Sequence, residues 1–270
     1  MLKLVYQDRI MIKKVNRIGR RKQMKDQFQE SVVQSILNVL SFTEKDLGED
    51  YQKSISKSSR NGLTQAVWAR RSDMLDEEFG DTENIEVLHV PRTKIWQIDP
   101  VFDQTSGNLY LLFSTRNLLA VKNRFQKYGK YTHYAVSLLL LNKEMSPLDG
   151  EQLELLPISE KDNQKVVEKR EADIKRIVGE RGERISQVVI VHADYHNGEA
   201  ISAEVAKFND LFELCEVLDV SDMLEYGYEA PSDEKQLVKL KNPDSPEDPT
   251  KVKRIVRLKE DTEKQKKNKG

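Results

Sequence analysis

Five residues, Leu109-Tyr110-Leu111-Leu112-Phe113, constrain this chain more than any other stretch. Successive side chains of a strand point to opposite faces. Leu109, Leu111 and Phe113 therefore go one way, and Tyr110 and Leu112 go the other. A strand that is apolar on both faces belongs in the middle of a sheet covered on both sides. Its flanks agree. Ile95 to Phe102 predicts a partner strand, and Asp103 to Asn108 predicts the turn between the two. Two apolar segments follow, Leu118 to Phe125 and Tyr131 to Leu141. Both predict helices, the second one internal because it is apolar almost all round. Ser114 or Thr115 is placed to cap the first.

Apolar residues at helical spacing predict further helices over Lys25–Leu40, from a cap at Ser41 or Thr43, over Leu63–Phe79, and over Glu160–Arg181. Arg70, Arg71 and Asp73 are expected to stay wet on the third of these. Short apolar runs predict strands near 85–90, 187–192 and 215–220, while Ile201 to Phe212 reads as a helix and Asn197-Gly198 as a turn. The expected fold is a single α+β domain over residues 24–228, with a mixed central sheet flanked by helices and a helical N-terminal part. Residues 1–23 read as a basic arm. Residues 229–270 read as a proline-rich, acidic linker and a charged tail expected to be disordered alone.

Composition narrows the partners. Formal net charge is −1, so any nucleic-acid role must come from a local patch rather than the global field. The arm holds eight Lys and Arg against one acid. Lys13, Lys14, Arg17, Arg20, Arg21 and Lys22 are dense enough there to neutralise several phosphates. Arg60, Arg70, Arg71, Lys122, Arg124, Lys127 and Lys130 would add a basic face if their helices were adjacent. The single cysteine, Cys215, excludes an internal disulfide and a Cys-rich zinc site, and predicts a reducing, cytoplasmic setting. No run approaches the roughly 18 apolar residues of a membrane span, so no membrane partner is expected. Met11 and Met24 are both plausible starts besides Met1.

The first constellation with chemistry in it is His192-Ala193-Asp194-Tyr195-His196, after a buried strand. In an extended chain His192, Asp194 and His196 share one face. Two imidazoles and a carboxylate are reasonable ligands for zinc, manganese or iron, with an ordinary exposed turn as the alternative. His89 and His133 lie in apolar patterns and read as core histidines. Gly179-Glu180-Arg181-Gly182 lacks the glycine spacing of a phosphate loop. No Gly-x-Ser-x-Gly elbow marks a serine nucleophile. No cofactor is therefore expected, with a divalent metal ion as the alternative.

The second constellation is Asp99-Pro100 at the end of one strand and Phe113-Ser114-Thr115-Arg116 at the end of the next. The order helix, strand, hairpin, helix, strand from residues 25 to 191 resembles the core of the restriction-endonuclease-like (PD-(D/E)XK) nucleases. The resemblance implies a divalent ion held by acids on two neighbouring strands, with a lysine orienting the attacking water. It puts Asp99 in the place of the first acid, and Ser114 and Arg116 in the places of the second acid and the lysine. Serine is a poor metal ligand, and arginine does not act as a base at neutral pH. The chain departs from the catalytic pattern at both positions.

The general look of the sequence, rich in Lys, Glu, Gln, Asn and Ile, is similar to uncharacterised proteins of prophages and mobile elements in low-GC bacteria. That resemblance implies a role in phage–host conflict or lysogeny control. The expected function is an intracellular protein acting by binding, with a protein partner ahead of DNA or RNA. The alternative is a metal-dependent nuclease using Asp99 or the His192 group. Convergence of two or more of these polar groups in one pocket discriminates between them.

Overall fold

The computed structural model describes residues 29–94, 96–129, 132–148 and 160–224. All of these belong to the first of two compact units, residues 1–228. The basic arm with Lys13, Lys14, Arg17, Arg20, Arg21 and Lys22, and the linker and tail over 229–270, lie outside the described residues.

The described residues open with three helices, α1 (Glu30–Ser41), α2 (Glu44–Ser54) and α3 (Leu63–Phe79). Thr43 separates the first two and opens α2 with a capping box, its hydroxyl and the Asp46 carboxylate each engaging the other's end of the turn. Strands β1 (Ile85–Val87), β2 (Val90–Pro91), β3 (Gln97–Ile98), β4 (Val101–Asp103) and β5 (Asn108–Ser114) follow. The stretches expected as two strands thus each split in two. Pro100 has no backbone N–H to donate and sits at one break. β1 and β4 stay in the main sheet, while β2 and β3 form a separate two-stranded strap.

Helix α4 (Thr115–Tyr128) comes next, with Ser114 as N-cap accepting from the Asn117 N–H. Helix α5 (Tyr134–Leu138) runs into a 3₁₀ turn at Leu139–Asn142, so the expected long internal helix is two short pieces. After α6 (Glu160–Val178), strands β6 (Gln187–His196), β7 (Glu199–Phe208) and β8 (Leu214–Asp219) complete the sheet. Its order is β1-β4-β5-β6-β7-β8, with β5 and β6 parallel and every other pair antiparallel. This is an α+β fold with a mixed six-stranded sheet.

β5 is indeed the centre. Leu109, Leu111 and Phe113 enter a core covered by α4, α5 and α6, while Tyr110 enters a second core covered by α1 and α3, with Leu112 packed against it. Asn142 stitches the middle together. Buried to 2% exposure, it donates to the carbonyls of Val188 and Phe208 and accepts the Val188 N–H at 2.8–2.9 Å. It serves as a polar rivet between β6 and β7, with all its bonds to main chain.

β7 corrects the expected helix at 201–212. Ala, Glu and Lys favour helices in isolation, but Asn197 and Gly198, at φ 51° and 79°, form the tight turn that returns the chain onto β6. Once paired on both edges, the segment has no other backbone state available. Lys207, expected on a helix, is buried to 2% and meets Glu216 across β8 at 3.0 Å.

A cleft at the carboxyl end of the central strand

Where β5 ends, an open cleft of about 760 Å³ is walled by five segments. α3 contributes Gln65, Trp68, Ser72 and Asp73; the strap contributes Arg92, Lys94, Trp96, Gln97 and Asp99. Leu111 and Leu112 form the floor, Asn117 stands at the first turn of α4, and Thr132 to Tyr134 close the far side. α3 packs on one face of the sheet and α4 on the other, so the cleft straddles the sheet's end. Ligand sites are common beyond the carboxyl ends of parallel strands, where the chain leaves in different directions.

The strap is held to α3 by a histidine between two acids. His89 Nδ1 lies 2.8 Å from Asp99 Oδ1, and Nε2 lies 2.9 Å from Asp76 Oδ1. With a carboxylate at each nitrogen, both must carry a proton, so the ring is an imidazolium. Partial burial opposes that charge, but the bonds to Asp99 and Asp76 outweigh it and raise the pKa. Gln97 joins the cluster, donating to Asp99 at 2.8 Å and to Ser72 at 3.1 Å. Ser72 Oγ stands 3.5 Å from His89 Nδ1, too far for a useful bond. A protonated imidazole cannot take a proton from serine, so the group does not form a hydrolytic triad. It is a clasp, and the half-exposed His89 does not belong to the core.

Because its folded pKa lies above 6.5, His89 stabilises the fold fully below that value and loses the contribution as pH rises through the folded pKa. Urea midpoints of the wild type and of His89→Gln, measured from about pH 6 to about pH 9, should therefore converge as pH rises. Parallel curves would refute the clasp.

His133 is a second histidine of the wall, and it is neutral. Burial pushes its pKa down to about 4, with the nearby charges of Arg92 and Arg124 adding to the fall. Its Nδ1 accepts the Ala135 N–H at 3.2 Å and caps α5, which leaves Nε2 to carry the ring proton. Phe113 and Tyr134 pack on it, with centroids 5.8 Å and 4.4 Å away. Arg92 is anchored to Asp173 of α6 by two bonds of 2.5 and 3.1 Å.

The expected catalytic and metal-ligating residues lie within the described part of the chain. Asp99 lies two residues before β4, and with Leu112 it lines the cleft, as its position in the strand order requires. Its carboxylate is taken by His89 and Gln97. Ser114 is spent on capping α4, and Arg116 is exposed on that helix. Asp99 does meet a second acid, Asp76, but the His89 ring occupies the position between them.

His192, Asp194 and His196 do not act as one group. Alternation holds along β6, since Val191, Ala193 and Tyr195 all meet the core under α1 and α3, and the unpaired residue of the irregularity, Ile201, lies on β7. The surroundings of the two histidines and the aspartate are what differ. His192 is buried against Thr115 Oγ1 at 2.9 Å and Glu204 at 3.4 Å, whereas Asp194 and His196 are exposed. Among the described residues no set of three His, Cys, Asp or Glu side chains could hold a metal ion.

The expected basic face also separates. Arg60 and Arg70 meet Glu44 and Glu77, Arg71 is buried, and α4 lies across the sheet from α3. Lys130 lies outside the described residues. Sequence reasoning missed the cleft itself, because its walls come from segments far apart in the chain.

Among the described residues no helix is long and apolar enough to cross a membrane. No curated protein and no solved structure matches the chain. A family model matches residues 21–270, nearly the whole length, and by that match the chain belongs to the family of unknown function DUF5986.

Proposed function

We propose that this protein acts by binding nucleic acid, along α4 and into the cleft at its N-terminus. The observation that carries this reading is the composition of α4. The helix has Arg116, Lys122, Arg124 and Lys127 and no acid. Lys122 folds its stem inward, its Nζ 5.4 Å from the Phe208 ring centre, and Arg116, Arg124 and Lys127 are exposed without a carboxylate partner among the described residues. In a chain of net charge −1, three unneutralised cations on one helix make the local field that a phosphate backbone recognises. A protein partner would favour an exposed apolar patch at an interface core, and here α4 offers only Leu119 and Tyr128 amid its charges.

The test is affinity for single-stranded and duplex DNA against salt. Reversing Arg116, Arg124 and Lys127 to glutamate together should weaken binding and flatten the log–log slope by about 2 on single strands, at roughly 0.7 per phosphate contact. An unchanged slope would remove α4 from the interface. No binding at low salt by the full chain would end the reading and leave a protein partner.

A second reading, a degenerate restriction-endonuclease-like nuclease, is supported by strand order. The run β1-β4-β5-β6, with β5 and β6 parallel, and Asp99 beside the cleft support this reading. Ser114 and Arg116 count against cleavage for the reasons of chemistry given above. Shortening of a labelled strand in magnesium or manganese, abolished by Asp99→Asn, would restore it.

A further inference from the structure

We propose that the cleft is a nucleotide site, which takes one unstacked base against the tryptophans and its phosphate toward Lys94. This rests on the nucleic-acid reading and assigns the ligand of the cleft. The chain has two tryptophans, and both line this cleft, Trp68 from α3 and Trp96 from the strap. Trp96 leaves 42% of its surface in water. An exposed indole near a lysine suits a base and its phosphate, since every base has a face to stack.

The polar groups of the cleft suit the edge of a base. Tyr134 Oη, His133 Nε2–H and the side-chain amides of Gln65 and Asn117 have no partner among the described residues. Together they present donors and acceptors from opposite walls. Lys94 stands on the strap without a carboxylate partner among the described residues, next to Arg92. At about 760 Å³ the cleft has room for a whole nucleotide. The ligand is either a free nucleotide or one unit of a strand, and the chemistry of recognition is the same for both.

Because no other tryptophan exists in the chain, intrinsic tryptophan fluorescence reports on this cleft alone. The full chain is titrated separately with each nucleoside monophosphate and with a mixed-sequence single-stranded oligonucleotide. Strand binding is followed in parallel by anisotropy of an end label. The expected result is quenching by the oligonucleotide, a loss of about tenfold in affinity in Trp96→Ala, and recovery in Trp96→Phe, which keeps a ring to stack on. Quenching by a monophosphate, with no strand bound, assigns the cleft to free nucleotides; the site then stands while the nucleic-acid function falls. A strand bound without quenching, and unaffected by Trp96→Ala, overturns the site and leaves the function. If neither ligand binds, both are overturned.

Discussion

Arg71→Ala loses about 3–5 kcal/mol of stability, the cost of breaking a buried charged network. Arg71 is 5% exposed and bonds to no carboxylate among the described residues. Instead its guanidinium donates to the carbonyls of Leu40 and Phe42 at 2.7–3.0 Å, and to the Tyr195 hydroxyl at 3.1 Å. Those carbonyls end α1, where the last peptide groups have no partner within the helix and carry partial negative charge. The rings of Trp68 and Tyr195 lie 4.6 and 5.5 Å from the charge and complete its surroundings. Lysine does not rescue the site, because an ammonium cannot span the same three acceptors in one plane. Equilibrium urea unfolding of Arg71→Ala and Arg71→Lys measures this. A loss under about 1 kcal/mol in the alanine variant would show that water replaces the guanidinium at no cost.

Phe113→Ala loses about 3–5 kcal/mol as well, by a different route. The ring is 1% exposed, on the β5 face that meets α4 and α5, and it stacks on Tyr134 with centroids 5.9 Å apart. Removing it leaves a void under His133 and Tyr134, which form one wall of the cleft. Phe113→Leu keeps most of the volume and costs under about 1.5 kcal/mol. Leu112→Ala, on the half-buried floor next door, costs less than Phe113→Ala. Calorimetric unfolding of the three variants gives the ranking. A Leu112 variant as damaged as the Phe113 variant would mean that the cleft floor, not the buried face, holds this end of the sheet.

The centre of the fold was legible because its signal is local. Alternation within five residues of β5 reveals two apolar faces, and two cores follow from that alone. The limits of α3 were legible too, from a helical stripe ending at Gly80. Arg71 was not. On a helix flanked by Arg70 and Asp73 it reads as one more wet charge, and the carbonyls that bury it come from a different helix. β7 failed for a related reason. Its residues prefer helix one at a time, and the pairing of both its edges, which no single-residue preference contains, overrides that. The cleft shows the same limit in a stronger form. Asp99 was found from strand order, but His89 joins it from the bend between β1 and β2, and Asp76 from α3.

The parallel pairing of β5 with β6 also sets a timetable. In the growing chain the two strands are separated by all of residues 115–186. At common translation speeds of about 5–20 residues per second, roughly 4–15 s pass between the emergence of one strand and that of the other. Through that interval the most apolar strand of the molecule has one neighbour, β4, and one bare edge. The helices made in the meantime, α4, α5 and α6, can cover one face of it but cannot satisfy its hydrogen bonds. Nascent chains halted within this window are therefore the species most exposed to edge-to-edge aggregation and most dependent on a chaperone, and chains released after β7 should escape both.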